Sequence, residues 1–402
     1  MHSQAHLQPR LFATLKSHIT TSVILLSLVA IFGQAAPAQS FQVVYSFTGG
    51  WDSANPWGLN IDGSGNLYGL TSHTIFELSQ RQTQWRLSTL FNRVLQDHPL
   101  PGYGITLGPD GNLYWADSGG TGSGCGGPCG EVVQLQRPAT VCKTALCPWT
   151  WNQIYEFPIY WSGFSPDSRV VFDQQGVLYG TTFYGGDYGW PPGWGVLYYV
   201  SPVNGGWQGG KIHDFGWNYP NGDGAHPAGS LLIDRSGNLY GATESGGPNY
   251  GTVYTIGQGG ESIIYPYDLT LALIDNAGNL YGDGDGGVVE LSPSSPYWTL
   301  TEVHPLPRGG GVAAMDSAGN LYGMTGCCID PGSIFKLSRT GTTWSYTDLY
   351  EFTGGSDGFG PNTLVLDGAG NLYGTTSFGG NPSCNNGQFP PGCGVIFKIT
   401  LN

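Results

Sequence analysis

Eight histidines, 28 acidic side chains and eight cysteines are the groups in this 402-residue sequence that can move protons, hold metal ions or cross-link the chain. Three histidines with an acid can bind a metal or do acid–base work. His73, His98 and His226 are the candidates, but nothing in their spacing forces them together. His213 and His304 each follow a tryptophan by six residues, as Tyr155 and Tyr350 do, so they read as structural. Asp52, Asp223 and Asp357 recur as Asp-x-x-x-Pro, which reads first as turn structure and second as calcium or ligand contact. No Gly-x-Ser-x-Gly elbow, His-Glu-x-x-His motif or phosphate-cradling P-loop is present. The sequence therefore assigns no catalytic residue, no metal ligand and no cofactor. Tryptophans offer a different chemistry, since flat rings with a polar handle suit sugars. Trp51, Trp57, Trp161, Trp190, Trp194 and Trp217 have no counterpart elsewhere in the chain and, with His98 and His226, form the candidate ligand-binding set.

The composition limits the elements that can position these groups. Gly (67) and Pro (27) supply nearly a quarter of the chain. Glycine at that density costs about 1 kcal/mol per helical position, which excludes a mainly helical fold. Charged residues are only 10 % while Tyr and Trp number 23 and 13, the reverse of a disordered chain. A net charge of −14 excludes a broad basic face for nucleic acid. Residues 1–38 carry Arg10 and Lys16, an apolar run from Val23 to Phe32, and Ala36-Pro37-Ala38. That pattern reads as a signal peptide, with an uncleaved anchor as the alternative. The chain after cleavage would be secreted, extracellular or periplasmic, with no membrane contact, and a monomer.

An internal repeat organises the remainder. The unit is an apolar strand, Asp-x-x-Gly-Asn, then Leu-Tyr-Gly, as in Asp62–Gly69, Asp234–Gly241, Asp275–Gly282, Asp316–Gly323 and Asp367–Gly374. Gly108–Trp115 lacks the first Asp, and Asp173–Gly180 has Val177 in place of Asn. The repeated tyrosines are 41 to 65 residues apart, the size of a four-stranded propeller blade with insertions. Seven fourth strands can be counted, the first of them, Val43–Phe47, standing before any repeat. The last repeat ends at its third strand, Val395–Ile399. These offsets predict an all-β chain from residue 39 to 402. It forms a single seven-bladed β-propeller of four-stranded antiparallel blades, closed by the N-terminal strand pairing in the last blade.

The repeat resembles the GloVer-type tandem-repeat proteins, secreted or surface-associated propeller-like proteins of bacteria. The best copy runs from Tyr350-Glu351-Phe352-Thr353-Gly354-Gly355 through Gly374-Thr375-Thr376 to Gly394-Val395-Ile396-Phe397-Lys398. The likeness spans residues 42 to 402 and implies a secreted propeller, but it brings no activity with it. Because the chain ends at the blade, the resemblance implies secretion without a C-terminal anchor.

In such a fold the first-to-second turn is short in every copy. Long, varied segments, such as those over residues 160–168, 184–194, 216–229 and 377–393, gather on the opposite face, where binding residues usually lie. Repeat alignment pairs Cys125 with Cys129 and Cys384 with Cys393, and Cys142 and Cys147, flanking the third-to-fourth turn of the second blade, should pair as well. A Cys₄ zinc site at 125, 129, 142 and 147 is the rival. Cys327 and Cys328 form either a vicinal bridge or two free thiols. The functional expectation is an extracellular binding module for a glycan or a surface protein, without nucleic acid. A propeller hydrolase or lyase on carbohydrate or lactone substrates, acting at the channel mouth, is the alternative.

Overall fold

A computed structural model describes residues 39–401 apart from 94–101, 103, 121–123, 139–148, 167, 190–191, 258, 285, 296, 327–329 and 385–389. Residues 1–38, expected to be a signal peptide, and His98, Trp190, Cys142, Cys147, Cys327 and Cys328 lie outside the described residues. The regular structure of the described chain is almost all strand, in seven sheets that are antiparallel except for the two-residue Ser168–Arg169 strand, which lies parallel to Ala225–Ile233. Blade 1 is built from Trp57–Ile61, Leu67–Leu70, Thr74–Arg81 and Gln84–Asn92, with the first strand innermost and the fourth outermost. Blade 7 takes its first three strands from Phe359–Leu366, Leu372–Phe378 and Val395–Thr400. Its outer strand is Ser40–Ser46 from the other end of the chain, in register Val43↔Phe397 and Ser46↔Val395. Closure by the N-terminal strand is thus observed.

The repeated turn is an electrostatic clasp. Asp234 Oδ1 accepts hydrogen bonds from the backbone N–H groups of Ser236 and Asn238, both at 2.8 Å. Its Oδ2 accepts from Asn238 Nδ2 at 2.8 Å and from the Tyr240 hydroxyl at 3.2 Å. Partial burial opposes ionisation of Asp234 and Asp316, yet these hydrogen bonds hold both carboxyls below the usual carboxylate range. In blade 2, where the repeat loses its first acid, Asp110 takes the role from two residues further on and accepts from the Tyr114 hydroxyl at 2.7 Å.

The clasped tyrosine also joins the blades. Trp149, Trp207, Trp298, Trp344 and Trp85, on the outer strands or just before them, each meet the repeat tyrosine of the preceding blade. The pairs are Tyr68–Trp149, Tyr114–Trp207, Tyr240–Trp298, Tyr281–Trp344 and Tyr373–Trp85, with ring centroids 5.9 to 6.1 Å apart. These recurring tryptophans are wedge residues, and the core is a series of such clusters between sheets.

The glycine of Leu-Tyr-Gly is set by its cross-strand neighbour on the third strand. A Cβ on Gly241 would lie 2.3 Å from the Tyr254 hydroxyl, and one on Gly374 would lie 2.3 Å from the Phe397 ring. Blade 2 inverts the sizes, with Trp115 in the glycine position and Val133 opposite. Only one member of the pair can be large. Gly241→Ala should therefore cost about 1–3 kcal/mol by overpacking. In a double-mutant cycle, Gly241→Ala with Tyr254→Val should be more stable than the two single losses added together. Simple additivity in urea unfolding would show that the pair is not sterically coupled.

Candidate functional site on the face of the long loops

The long segments meet one another on the face opposite the clasped turns. Phe157–Gly163 ends blade 2 with a short 3-10 turn at Tyr160–Ser162. It touches the next long loop through Gly186 N–H, which donates to the Tyr160 carbonyl at 3.1 Å. Residues 185–195 in turn touch residues 215–226, where the Trp194 and Tyr219 rings stack at 4.4 Å and His226 N–H donates to the Trp194 carbonyl at 2.7 Å. Tyr219 also lies against Gly246, bringing in the loop that carries Tyr250. Disulfides Cys125–Cys129 and Cys384–Cys393 close two further loops on this face. These bridges fit an oxidising compartment, and among the described residues no helix is long and apolar enough to cross a membrane.

Tryptophans in this region divide by exposure. Trp51, Trp161 and Trp217 stand 63, 48 and 60 % exposed. Trp194 is half-buried, its indole nitrogen directly over Gly189 and its ring edge against His226. Trp57 is not a loop residue: it begins the innermost strand of blade 1 and packs on the core shared with blade 2.

Among the described residues the candidate histidines do not converge. His73 Nδ1 shares a hydrogen bond of 3.1 Å with Ser53 Oγ. His226 stacks on Phe183 at 4.5 Å, bonds Ser245 Oγ at 2.9 Å, and is held below its ordinary pKa by burial. His304 stacks on Tyr346 of the next blade at 4.5 Å.

His213 is different. It sits near the end of the outer strand of blade 3, Gly206–Asp214, with Asp223 Oδ2 2.9 Å and Glu261 Oε2 3.5 Å from its Nε2. Asp223 belongs to the connection between blades 3 and 4, where its other oxygen accepts from Gly216 N–H at 3.0 Å. Glu261 comes from the outer strand of blade 4, Gly260–Tyr265. Burial alone would lower His213, but its hydrogen bond to Asp223 and the charges of Glu261 and Asp223 outweigh that and raise it. Glu261 is pushed up to about 7, chiefly by burial. Glu261 carried no motif in the sequence. The signal available was its place in the outer strand, visible only once the blades are aligned by register.

Two other polar groups were also not singled out by the sequence. Arg169, on a two-residue innermost strand beside blade 4, reaches Asn60 of blade 1 and Thr106 of blade 2. The guanidinium meets an amide and a hydroxyl there, and burial lowers its pKa. Glu131 starts the third strand of blade 2 on the loop face, only 2 % exposed, paired across strands with Asp117 and Glu156. Burial first, and then the charges of Asp117 and Glu156, push it up to about 7.

Glu131 generates a pH test. Its native-state carboxyl holds a proton that the unfolded chain releases in the ordinary carboxylate range. The folded state is therefore favoured below that range's upper edge, and stability falls as pH rises to about 7, by on the order of 2–3 kcal/mol. Glu131→Gln should abolish that loss. Its urea midpoint should exceed the parent's at pH 8 and match it near pH 5; equal midpoints at both values would refute the assignment.

No protein-family model matches the chain, and no curated protein matches it. Among solved structures it is similar to virginiamycin B lyase from Staphylococcus aureus, at 12 % identity and a TM-score of 0.55, covering 90 % of this chain and 100 % of that one. It is also similar to YCF48 from Cyanidioschyzon merolae, at 12 % identity and a TM-score of 0.51, covering 90 % of this chain and 98 % of that one. At such identity the likeness is one of fold.

Proposed function

We propose that this propeller is a secreted binding module that holds a glycan on the loop face of blades 2 to 4. The observation that carries this reading is the run of exposed aromatics on mutually packed loops: Trp161, Tyr188, Trp217, Tyr219 and Tyr250. Aromatic faces presented on pre-ordered backbone bind flat, amphipathic rings at low entropic cost. The loops beneath are fixed by the Trp194–Tyr219 stack and by glycines too tightly enclosed for a side chain, such as Gly185 against the Tyr160 carbonyl. Two disulfides and the leader-like first 38 residues support export, as does the resemblance of the repeat to GloVer-type secreted proteins.

A second reading, a propeller hydrolase or lyase on carbohydrate or lactone substrates, draws on Glu131. That carboxyl keeps a proton near neutrality beside two other acids, the pairing used for general acid–base work.

A polysaccharide pull-down and glycan array of the protein separates the two. Trp161→Ala and Trp217→Ala should each reduce glycan retention at least tenfold while leaving stability within about 0.5 kcal/mol of the parent. Trp207→Ala or Trp344→Ala should instead cost about 3–5 kcal/mol, because those rings are wedges between blades. Retention unchanged in both loop variants would overturn the aromatic-face reading. Bound glycan that is cleaved by the parent and not by Glu131→Gln would replace it with the enzymatic one.

A further inference from the structure

The seven outer strands can be aligned through the third-strand residue that faces the leucine of Leu-Tyr-Gly. In six blades the outer-strand residue at this level is Leu87, Trp151, Gly209, Leu300, Tyr346 or Phe41. In blade 4 it is Glu261, opposite Ile256. This position meets a ring from the outer strand of the preceding blade. His304 stacks on Tyr346, Tyr350 stacks on Phe41 at 3.7 Å, and the Tyr155 ring covers Gly209. The rim between blades is thus apolar or aromatic wherever the other contacts are seen, and at blades 3 and 4 it becomes an imidazole facing a carboxylate.

The third group arrives by the same repeat logic. Asp52 and Asp357 each bind the hydroxyl of the rim tyrosine before them, Tyr45 at 2.9 Å and Tyr350 at 3.0 Å, and Asp223 does the same for His213. Substituting histidine for that tyrosine converts a turn contact into a nitrogen ligand beside an oxygen ligand. Adding glutamate from the next blade completes a set of three. The ligand atoms of His213, Asp223 and Glu261 all lie within 4.8 Å of one another. Glu261 Oε1 is sealed from solvent with no hydrogen-bond partner.

We propose that His213, Asp223 and Glu261 bind a divalent transition-metal cation of the zinc class, joining the rims of blades 3 and 4. One imidazole nitrogen and two carboxylate oxygens are a zinc-type donor set with a fourth position open. Tetrahedral ligands at zinc distances stand about 3.4 Å apart. The His213–Glu261 distance of 3.5 Å already fits, and the His213–Asp223 distance of 2.9 Å opens by a few tenths when an ion replaces the bridging proton. Two carboxylates give the site a charge that a dication neutralises, and the unpartnered Oε1 is free to become a second oxygen ligand. The Asp223–Gly216 bond and the edge contact of His213 with Phe215 at 4.8 Å hold two of the ligands in place from behind.

The test is calorimetric titration of the chelator-stripped full chain with Zn²⁺, beside Glu261→Gln and His213→Tyr. The tyrosine variant restores the residue found at this rim position in blades 2, 4, 6 and 7, and keeps a donor for Asp223, so it should fold. The parent should bind one more equivalent of Zn²⁺ than either variant, and Zn²⁺ should raise its Tm by more. Removing a supporting partner of a metal ligand already costs 10- to 100-fold in affinity, so loss of a ligand should cost at least about 100-fold. Equal stoichiometry and equal Tm shifts in all three proteins, or no binding to the parent, would overturn the site.

Discussion

A ring of seven sheets has two ends, and the protein joins them with a single seven-residue strand, Ser40–Ser46. Without it, blade 7 would expose the edge of Val395–Thr400, and the Phe41 ring would leave both Tyr350 and Phe397. An open sheet edge leaves backbone groups unpaired and invites association with other chains. The closing strand also carries Tyr45 into the Asp52 turn, so the first connection on the loop face is anchored to the same closure. Blades 7 and 1 then meet directly, with Gly58 N–H donating to Thr363 Oγ1 at 3.0 Å and Asn362 Nδ2 to the Pro56 carbonyl at 3.0 Å. The loop face depends on this closure, because a loop can hold an aromatic ring still only if its two ends are fixed.

Much of this was legible in the sequence because the repeat states its physics locally. Asp-x-x-Gly-Asn and Leu-Tyr-Gly encode a clasp whose donors and acceptors are at most six residues apart, so a reader can find it without knowing the fold. The closure was legible for a different reason, the offset of one strand between the chain's two ends. What the sequence hid was contact between blades. Glu261 is unremarked in its own strand and acquires meaning only against His213, 48 residues earlier on the neighbouring sheet. Arg169 escaped notice because the innermost strand of blade 3 departs from the repeat there. Trp57 shares the irregular spacing of the loop tryptophans yet packs between blades 1 and 2, while Trp194 lies in its loop and fills the space left by Gly189 and Gly216.

The departures from the repeat are not scattered evenly. Blade 2 inverts the large and small partners at Trp115 and Val133 and buries Glu131 between acids. Blade 3 breaks its innermost strand, sends Arg169 toward blades 1 and 2, and exposes Trp161 and Trp217 at its two ends. Its rim exchanges tyrosine for His213. A repeat architecture needs each blade to satisfy the same packing rules, so residues that break those rules in one sector are free to serve something other than packing. That sector carries both the aromatic ridge and the three-ligand cluster.

The central claim, that one strand from the N-terminal end locks the ring, is most directly tested by native-state hydrogen exchange resolved at Val43–Ser46 and at Val395–Phe397. Closure predicts that the strand's paired amides exchange as slowly as those of the strand beside it, through opening of the whole blade. Exchange of Val43–Ser46 within seconds while Val395–Phe397 stays protected would show that the ring is open in solution, and would contradict the account.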